Sequence, residues 1–153
     1  MIYKSSCYDE TLRIARRFAE SLKSGDVVRL WGDVGAGKTA FVSGAAEVLC
    51  GPGTPVSSPT FSIMNIYKGD VPVYHFDLYR ISDFDEIYHA GLSDYIGRDS
   101  ISFVEWPQLL DVSEFDRVFD ITVKRNLEIS DEYREIEIDL HSEAEETNEN
   151  SCN

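Results

Sequence analysis

Basic residues are scarce in this chain of 153 residues: 14 Lys and Arg stand against 28 Asp and Glu, a formal net charge of −14. A surface of that sign does not make a broad phosphate-gripping footprint by itself. If a nucleic acid enters the biology, a partner must supply most of its phosphate contacts. Cysteine is scarce too. Cys7, Cys50 and Cys152 are odd in number and far apart, which excludes a disulfide framework and a zinc ligand set. No apolar run approaches the roughly 18 residues of a membrane span. The opening "MIYKSSCYDE" lacks the basic-then-apolar order of a secretory leader. A cytoplasmic protein with no membrane partner is the expectation. Internal repeats are missing, as is any Pro/Gly/Ser-rich linker long enough to divide two domains.

What remains is an ordinary globular composition, 42% apolar and 27% charged, in a length suited to one domain with a real core. We read residues 1–140 as that domain and 141–153 as an acidic tail. Its "SEAEETNENSCN" has four glutamates, no basic residue and little to bury, so it is expected not to order. Leu12, Ala15, Phe18, Ala19 and Leu22 recur at helical spacing between Tyr8 and Lys23, with Ser6 and Asp9 offering an N-cap. "DVVRLW" predicts a strand and "KTAFVSGAAEVLC" a helix. "FSIMNIY" and "VPVYHFD" predict a hairpin turned by "KGD". "DFDEIYHAGL" is helix-compatible and "SISFVE" strand-like. "RVFDITVK" and "YREIEIDL" alternate as half-exposed antiparallel strands do. A strand and helix first, then hairpins, predict one α/β domain with a mixed, partly antiparallel sheet flanked by helices.

"GDVGAGKT" places Gly32, Gly37, Lys38 and Thr39 in the pattern G-x-x-x-x-G-K-[ST]. The spacing is dictated by chemistry. The loop must curl until successive backbone N–H groups face one concavity, which needs dihedrals glycine adopts freely. The helix that follows aims its positive end at the same point. Lys38 then reaches the β- and γ-phosphates and the Thr39 hydroxyl takes one Mg²⁺ position. A chance match in a chain this long is on the order of 0.5%. The strand before and helix after lower it further, so Mg²⁺-nucleotide binding by a single P-loop NTPase-like domain is the expectation.

Such a loop needs a second acid at a neighbouring strand end. Asp77 after "VPVYHF" and Glu105 after "SISFV" both qualify, and spacing alone does not choose between them. No Asn-Lys-x-Asp tetrapeptide reads a guanine, which favours ATP over GTP by absence alone. In "SSPTF", Ser58 and Thr60 are candidates for a segment that senses the γ-phosphate through a hydroxyl. Local rules alone read the same residues as a proline turn with hydroxyl caps.

Taken together and in order, "GDVGAGKT", "VSSPTF", "HFDLYR" and "EWP" resemble the bacterial TsaE (YjeE) family of small P-loop ATPases, from about Ser6 to Leu140. The resemblance implies an ATPase, weak alone, needed for threonylcarbamoyl modification of adenosine in tRNA. Its partners would be TsaB-like and TsaD-like proteins, with tRNA met only through that complex. The implied cofactors are ATP and Mg²⁺. The implied nucleotide-binding residues are Gly32, Gly35, Ala36, Gly37, Lys38, Thr39, Ala40 and Trp106, with Thr39 and Glu105 as metal ligands. Lys38, Thr60 and Asp77 would serve catalysis, Asp77 by orienting water, and Arg80 would support the Asp77 region or a partner interface. Val34 and Trp31 depart from the family pattern without touching the chemistry. Gln108 stands where an acid is frequent. His75 is read as a strand residue with a satisfied ring.

Two other readings compete. One is a nucleotide-dependent binding module whose hydrolysis is incidental. The other is a small-molecule P-loop kinase, which usually needs an arginine-bearing lid, whereas Arg80 and Arg98 form no cluster in the sequence.

Overall fold

The computed structural model describes residues 1–141. Of the acidic tail only His141 falls among them; the rest lies outside the described residues. Seven strands form one sheet. Four of them make its parallel centre: β2 (Val27–Trp31), β4 (Val73–Asp77), β5 (Ile101–Glu105) and β6 (Val118–Arg125), in the order β6-β2-β5-β4. On one side β7 (Arg134–Leu140) and then β1 (Ile2–Ser5) continue antiparallel, and on the other β3 (Met64–Tyr67) closes a hairpin on β4. The mixed, partly antiparallel sheet is the one expected.

The two faces of the sheet are filled by alternate residues of the same strands. Val28 and Leu30 of β2 join a core with helix α1 (Tyr8–Ala19) and helix α2 (Lys38–Cys50), through Ala15, Phe18, Phe41, Val42 and Ala45. Val27 faces the opposite side, with Phe76, Val104, Val118 and, from the short helix α3 (Phe84–His89), Ile87. β5 is buried along its whole length, as suits a strand covered on both faces. Asp83 caps α3, its carboxylate accepting the Glu86 N–H at 3.0 Å.

Several expectations are corrected. The first helix stops at Ala19 rather than Lys23, and two tight turns carry Leu22 against the core. Its N-cap is Cys7, not Ser6, and makes no side-chain cap bond. The Ser6 N–H instead donates to the Glu10 carboxylate at 2.6 Å, one residue ahead of the cap. The strand in "FSIMNIY" begins only at Met64, because Ile63 sits at a left-handed φ of 69°. The hairpin loop spans 68–72, wider than "KGD". β6 pairs antiparallel with β7 as expected, yet parallel with β2. β1 was not foreseen: four residues at a sheet edge carry too little pattern.

This arrangement sets three strand ends side by side. Leu30 near the end of β2 is paired with Glu105 at the end of β5, and Glu105 with Asp77 at the end of β4. In open parallel sheets, the crevice beyond these carboxyl ends is where ligands bind.

Candidate functional site: a phosphate loop facing two buried acids

Backbone conformation shapes the loop between β2 and α2. Gly32, Gly35 and Gly37 have φ of 144°, 77° and 112°, values a side-chain-bearing residue adopts only at a cost. Gly37 is the N-cap of α2, a helix of 13 residues whose first N–H groups have no partner within the helix. Lys38 is 5% exposed, and its ammonium donates to the Gly32 carbonyl oxygen, folding back across the loop. Burial pushes that ammonium below its ordinary range, and Glu105, Asp77 and Asp33 pull it part of the way back.

A cavity of about 500 Å³ lies against the loop. Gly35, Gly37, Lys38, Thr39, Ala40, Ser58, Thr60, Asp77, Glu105 and Trp106 all line it, so the sequence-predicted residues of four separate motifs meet at one place. Gly32 and Ala36 do not line it; they face a second cavity shared with Lys124 and Arg125. The Gly32 carbonyl receives Lys38, and the Ala36 carbonyl accepts from Arg134 Nε at 2.6 Å.

The two acids differ in surroundings. Glu105 Oε1 accepts from Thr39 Oγ1 at 3.4 Å, while its Oε2 lies 2.7 Å from His75 Nε2. Asp77 Oδ2 accepts from Thr60 Oγ1 at 2.9 Å, and its Oδ1 from the Tyr79 N–H at 2.9 Å. Since Thr60 spends its one proton on Asp77, Ser58 Oγ must be the donor in its 2.7 Å bond to Thr60. The "SSPTF" hydroxyls therefore form a file that ends on Asp77. Arg80 turns away to the Phe61 ring, 4.6 Å from its centroid, so the expected support of Asp77 comes from Thr60 and Tyr79.

Trp106 stands beside the loop as expected, its ring 3.8 Å from Lys38 Nζ and 5.0 Å from the Tyr79 ring. It holds a left-handed φ of 54°, a strained conformation for so large a residue. Sequence reasoning missed Tyr79, Tyr67 and Arg134. His75 has the satisfied ring expected of it, and its approach to Glu105 could have been found, because it lies two residues before Asp77 on one strand and so shares its face. Arg134 carries no local signal.

The oxygen donors Thr39 Oγ1 and Glu105 Oε1 are of the kind a hard cation takes, and stand close enough to share one. Among the described residues no three His, Cys, Asp or Glu side chains form a ready-made metal cage. Mg²⁺ needs none, since it usually takes one or two protein oxygens and completes its shell with phosphate and water.

The family model for "Threonylcarbamoyl adenosine biosynthesis protein TsaE" matches residues 5–138. The chain belongs to the TsaE family. A TsaE protein of Bacillus subtilis is 41% identical over 129 residues, covering 84% of this chain and 78% of that protein. One from Rickettsia conorii is 39% identical over 103 residues, and the match spans 67% of this chain but only 58% of the relative's length. One from Borreliella burgdorferi is 35% identical over 127 residues, 81% of this chain and 91% of that one. All three are named as tRNA threonylcarbamoyladenosine biosynthesis proteins. The crystal structure of Bacillus subtilis YdiB superposes on this TsaE-family chain with a TM-score of 0.66 at 34% identity, covering 89% of this chain and 82% of YdiB. Among the described residues, no helix of this family member is long and apolar enough to cross a membrane.

Proposed function

We propose that this chain is a Mg²⁺-dependent, ATP-binding and ATP-hydrolysing subunit required for threonylcarbamoyl modification of adenosine in tRNA. It would work in the cytoplasm on a partner complex of the TsaB–TsaD type. The observation that carries the reading is the convergence of Lys38, Thr39, Thr60, Asp77 and Glu105 on one cavity at the ends of parallel strands. The names of the relatives supply the pathway. The net charge of −14 supports a subunit that meets tRNA only through its partners.

In this reading the backbone of Gly35 to Lys38 cradles the phosphates, and Lys38 exchanges the Gly32 carbonyl for a phosphate oxygen. Thr39 and Glu105 would hold Mg²⁺, which when bound would neutralise charge on the phosphate oxygens. Asp77, fixed by Thr60 and the Tyr79 N–H, accepts a hydrogen bond from the attacking water and so orients it. The file from Ser58 through Thr60 ties that carboxylate to the "SSPTF" segment, which would sense the γ-phosphate. A kinase reading is disfavoured by where the two middle-region arginines go. Arg80 lies on Phe61, and Arg98 lines a separate groove with Asp94, Asp111 and Glu114.

The test is ATP turnover with and without the purified partner complex. Strong stimulation, with phosphate released to water and lost in Lys38→Ala, is the expected result. A labelled acceptor in place of free phosphate would point to a kinase. An Asp77→Ala variant that binds ATP, fails to hydrolyse it and still sustains many rounds of tRNA modification would reduce the chain to a binding module.

A further inference from the structure

Glu105 has two oxygens in two environments. Oε1 faces the Thr39 hydroxyl and the cavity, while Oε2 is turned inward to His75 Nε2 at 2.7 Å. His75 is 0% exposed and Glu105 3%. The other ring nitrogen, Nδ1, lies 3.0 Å from the Tyr67 hydroxyl, which also lies 3.3 Å from the Ser57 carbonyl oxygen. A buried file thus runs from Tyr67 through His75 to the carboxylate assigned to the metal.

Proton bookkeeping gives the file a direction. An ionised carboxylate only accepts, so His75 Nε2 must carry the hydrogen. In a neutral ring Nδ1 is then a bare acceptor, and Tyr67, whose one proton is shared between Nδ1 at 3.0 Å and the Ser57 carbonyl oxygen at 3.3 Å, is the group able to donate to it. Burial raises the Tyr67 hydroxyl above its ordinary value, which keeps it a protonated donor. Strand register makes the arrangement possible. His75 and Asp77 share one face of β4, and Asp77 is the cross-strand partner of Glu105 on β5.

We propose that His75 and Tyr67 are positioning residues for Glu105, holding Oε2 inward so that Oε1 is presented beside Thr39 for Mg²⁺. The proposal rests on the Mg²⁺-nucleotide reading above. Its physical basis is that a carboxylate with one oxygen anchored has lost its rotational freedom before the cation arrives. Partners that orient metal ligands in this way are worth about 10- to 100-fold in metal affinity. A ring that merely satisfies itself in the core would have no such selectivity.

The experiment measures affinity for a non-hydrolysable ATP analogue, with Mg²⁺ and with EDTA, in the full chain and three variants. His75→Leu should lose about tenfold in the Mg²⁺-dependent affinity, with affinity in EDTA kept within about twofold. His75→Gln should recover most of the loss, because its side-chain amide can place an N–H where Nε2 stood. Tyr67→Phe should show a smaller, equally Mg²⁺-selective loss. The proposal is overturned if His75→Leu binds like the unaltered chain, if it weakens equally with and without Mg²⁺, or if Gln behaves as Leu does. Should His75→Leu fail to fold, Tyr67→Phe decides, and a loss that ignores Mg²⁺ overturns the proposal. An unaltered chain that binds the analogue no better with Mg²⁺ than with EDTA would instead overturn the Mg²⁺ dependence in the reading above, and this inference with it.

Discussion

A Cβ atom at Gly32 would stand 2.5 Å from the Val123 carbonyl oxygen, and one at Gly44 would stand 2.6 Å from the Leu12 carbonyl oxygen. The steric demand is the same, but the regions are not. Gly44 lies inside α2 where that helix crosses α1, and its neighbours there are Leu12 and Ala15. Its missing side chain lets two helices approach, and the gain is packing. Gly32 opens the phosphate loop at a φ of 144°, and its carbonyl oxygen is where the Lys38 ammonium rests. Around it stand a buried lysine, two buried acids and a left-handed tryptophan. The helix crossing follows every rule of good packing; the loop breaks several, and those departures mark the chemistry. Substitutions should therefore separate stability from ligand binding cleanly between the two regions.

The largest effect is expected on the loop side. Lys38→Ala removes the ammonium that would make about two charge-assisted bonds to phosphate, each of roughly 1.5 kcal/mol, so ATP affinity should fall by about 100-fold. The melting temperature should hold or rise, since a desolvated charge has been removed. A pH series checks this origin. Burial holds the folded-state value of Lys38 below its ordinary 10.5, so the native chain releases that proton first. The penalty is complete below the lowered value and is relieved as pH climbs from there toward 10.5. The stability advantage of a Lys38→Met chain should accordingly shrink across that window. An advantage that grows with pH would sink the account.

Next comes the helix crossing. Gly44→Ala drives a methyl into the Leu12 backbone and the Ala15 side chain, which lie too close to yield without moving a helix. We expect a loss of about 1–3 kcal/mol, or roughly 3–10 °C in Tm. Nucleotide affinity of the folded fraction should stay unchanged. A thermal melt paired with a binding isotherm decides it, and a Gly44→Ala chain that melts normally but binds poorly would erase the contrast between the regions.

The third effect returns to the acids. Thr60→Val keeps shape and removes the hydroxyl that fixes Asp77 Oδ2. Turnover should drop about tenfold, a loss of roughly 1.4 kcal/mol, while KM for ATP changes little. A rise in KM with turnover intact would mean that Thr60 binds nucleotide rather than orienting Asp77.

The two regions also differ in how much of them could be read from the chain. The loop was legible because a polyphosphate cradle demands glycine, lysine and a hydroxyl at fixed spacing, and α2 then begins at Lys38 as its pattern required. Asp77 and Glu105 were legible as strand ends because apolar runs stop there. What joins them was not. The pairing of Asp77 with Glu105, the reach of Arg134 to the Ala36 carbonyl and the file from Tyr67 to Glu105 depend on register between strands far apart in sequence. Alternation in "RVFDITVK" told that one face is covered, but not that β2 lies parallel beside it. In the helix pair, the apolar spacing of α1 was plain, while nothing in the sequence marked Gly44 as the point where the Leu12 backbone comes close.

Trp106 tests the contrast at its finest grain. Gly32 takes a left-handed backbone at little cost, whereas Trp106 holds φ 54° with a full indole, at a penalty of about 1–3 kcal/mol. Something must offset that penalty, and the contacts on hand are the Lys38 ammonium at 3.8 Å and the Tyr79 ring at 5.0 Å. Trp106→Phe keeps both contacts with a weaker ring, and a cation–π contribution of this kind is about 0.5–2 kcal/mol. Nucleotide affinity should therefore fall by only about threefold, less than Thr60→Val costs in turnover, with Tm nearly unchanged. Trp106→Gly should relax the backbone yet release Lys38 from its ring, so that Tm rises while affinity falls further than in Trp106→Phe. If Trp106→Gly instead melts lower and binds as well as the unaltered chain, the tryptophan belongs with Gly44, as packing, and the strain at this end of the sheet has no part in the site.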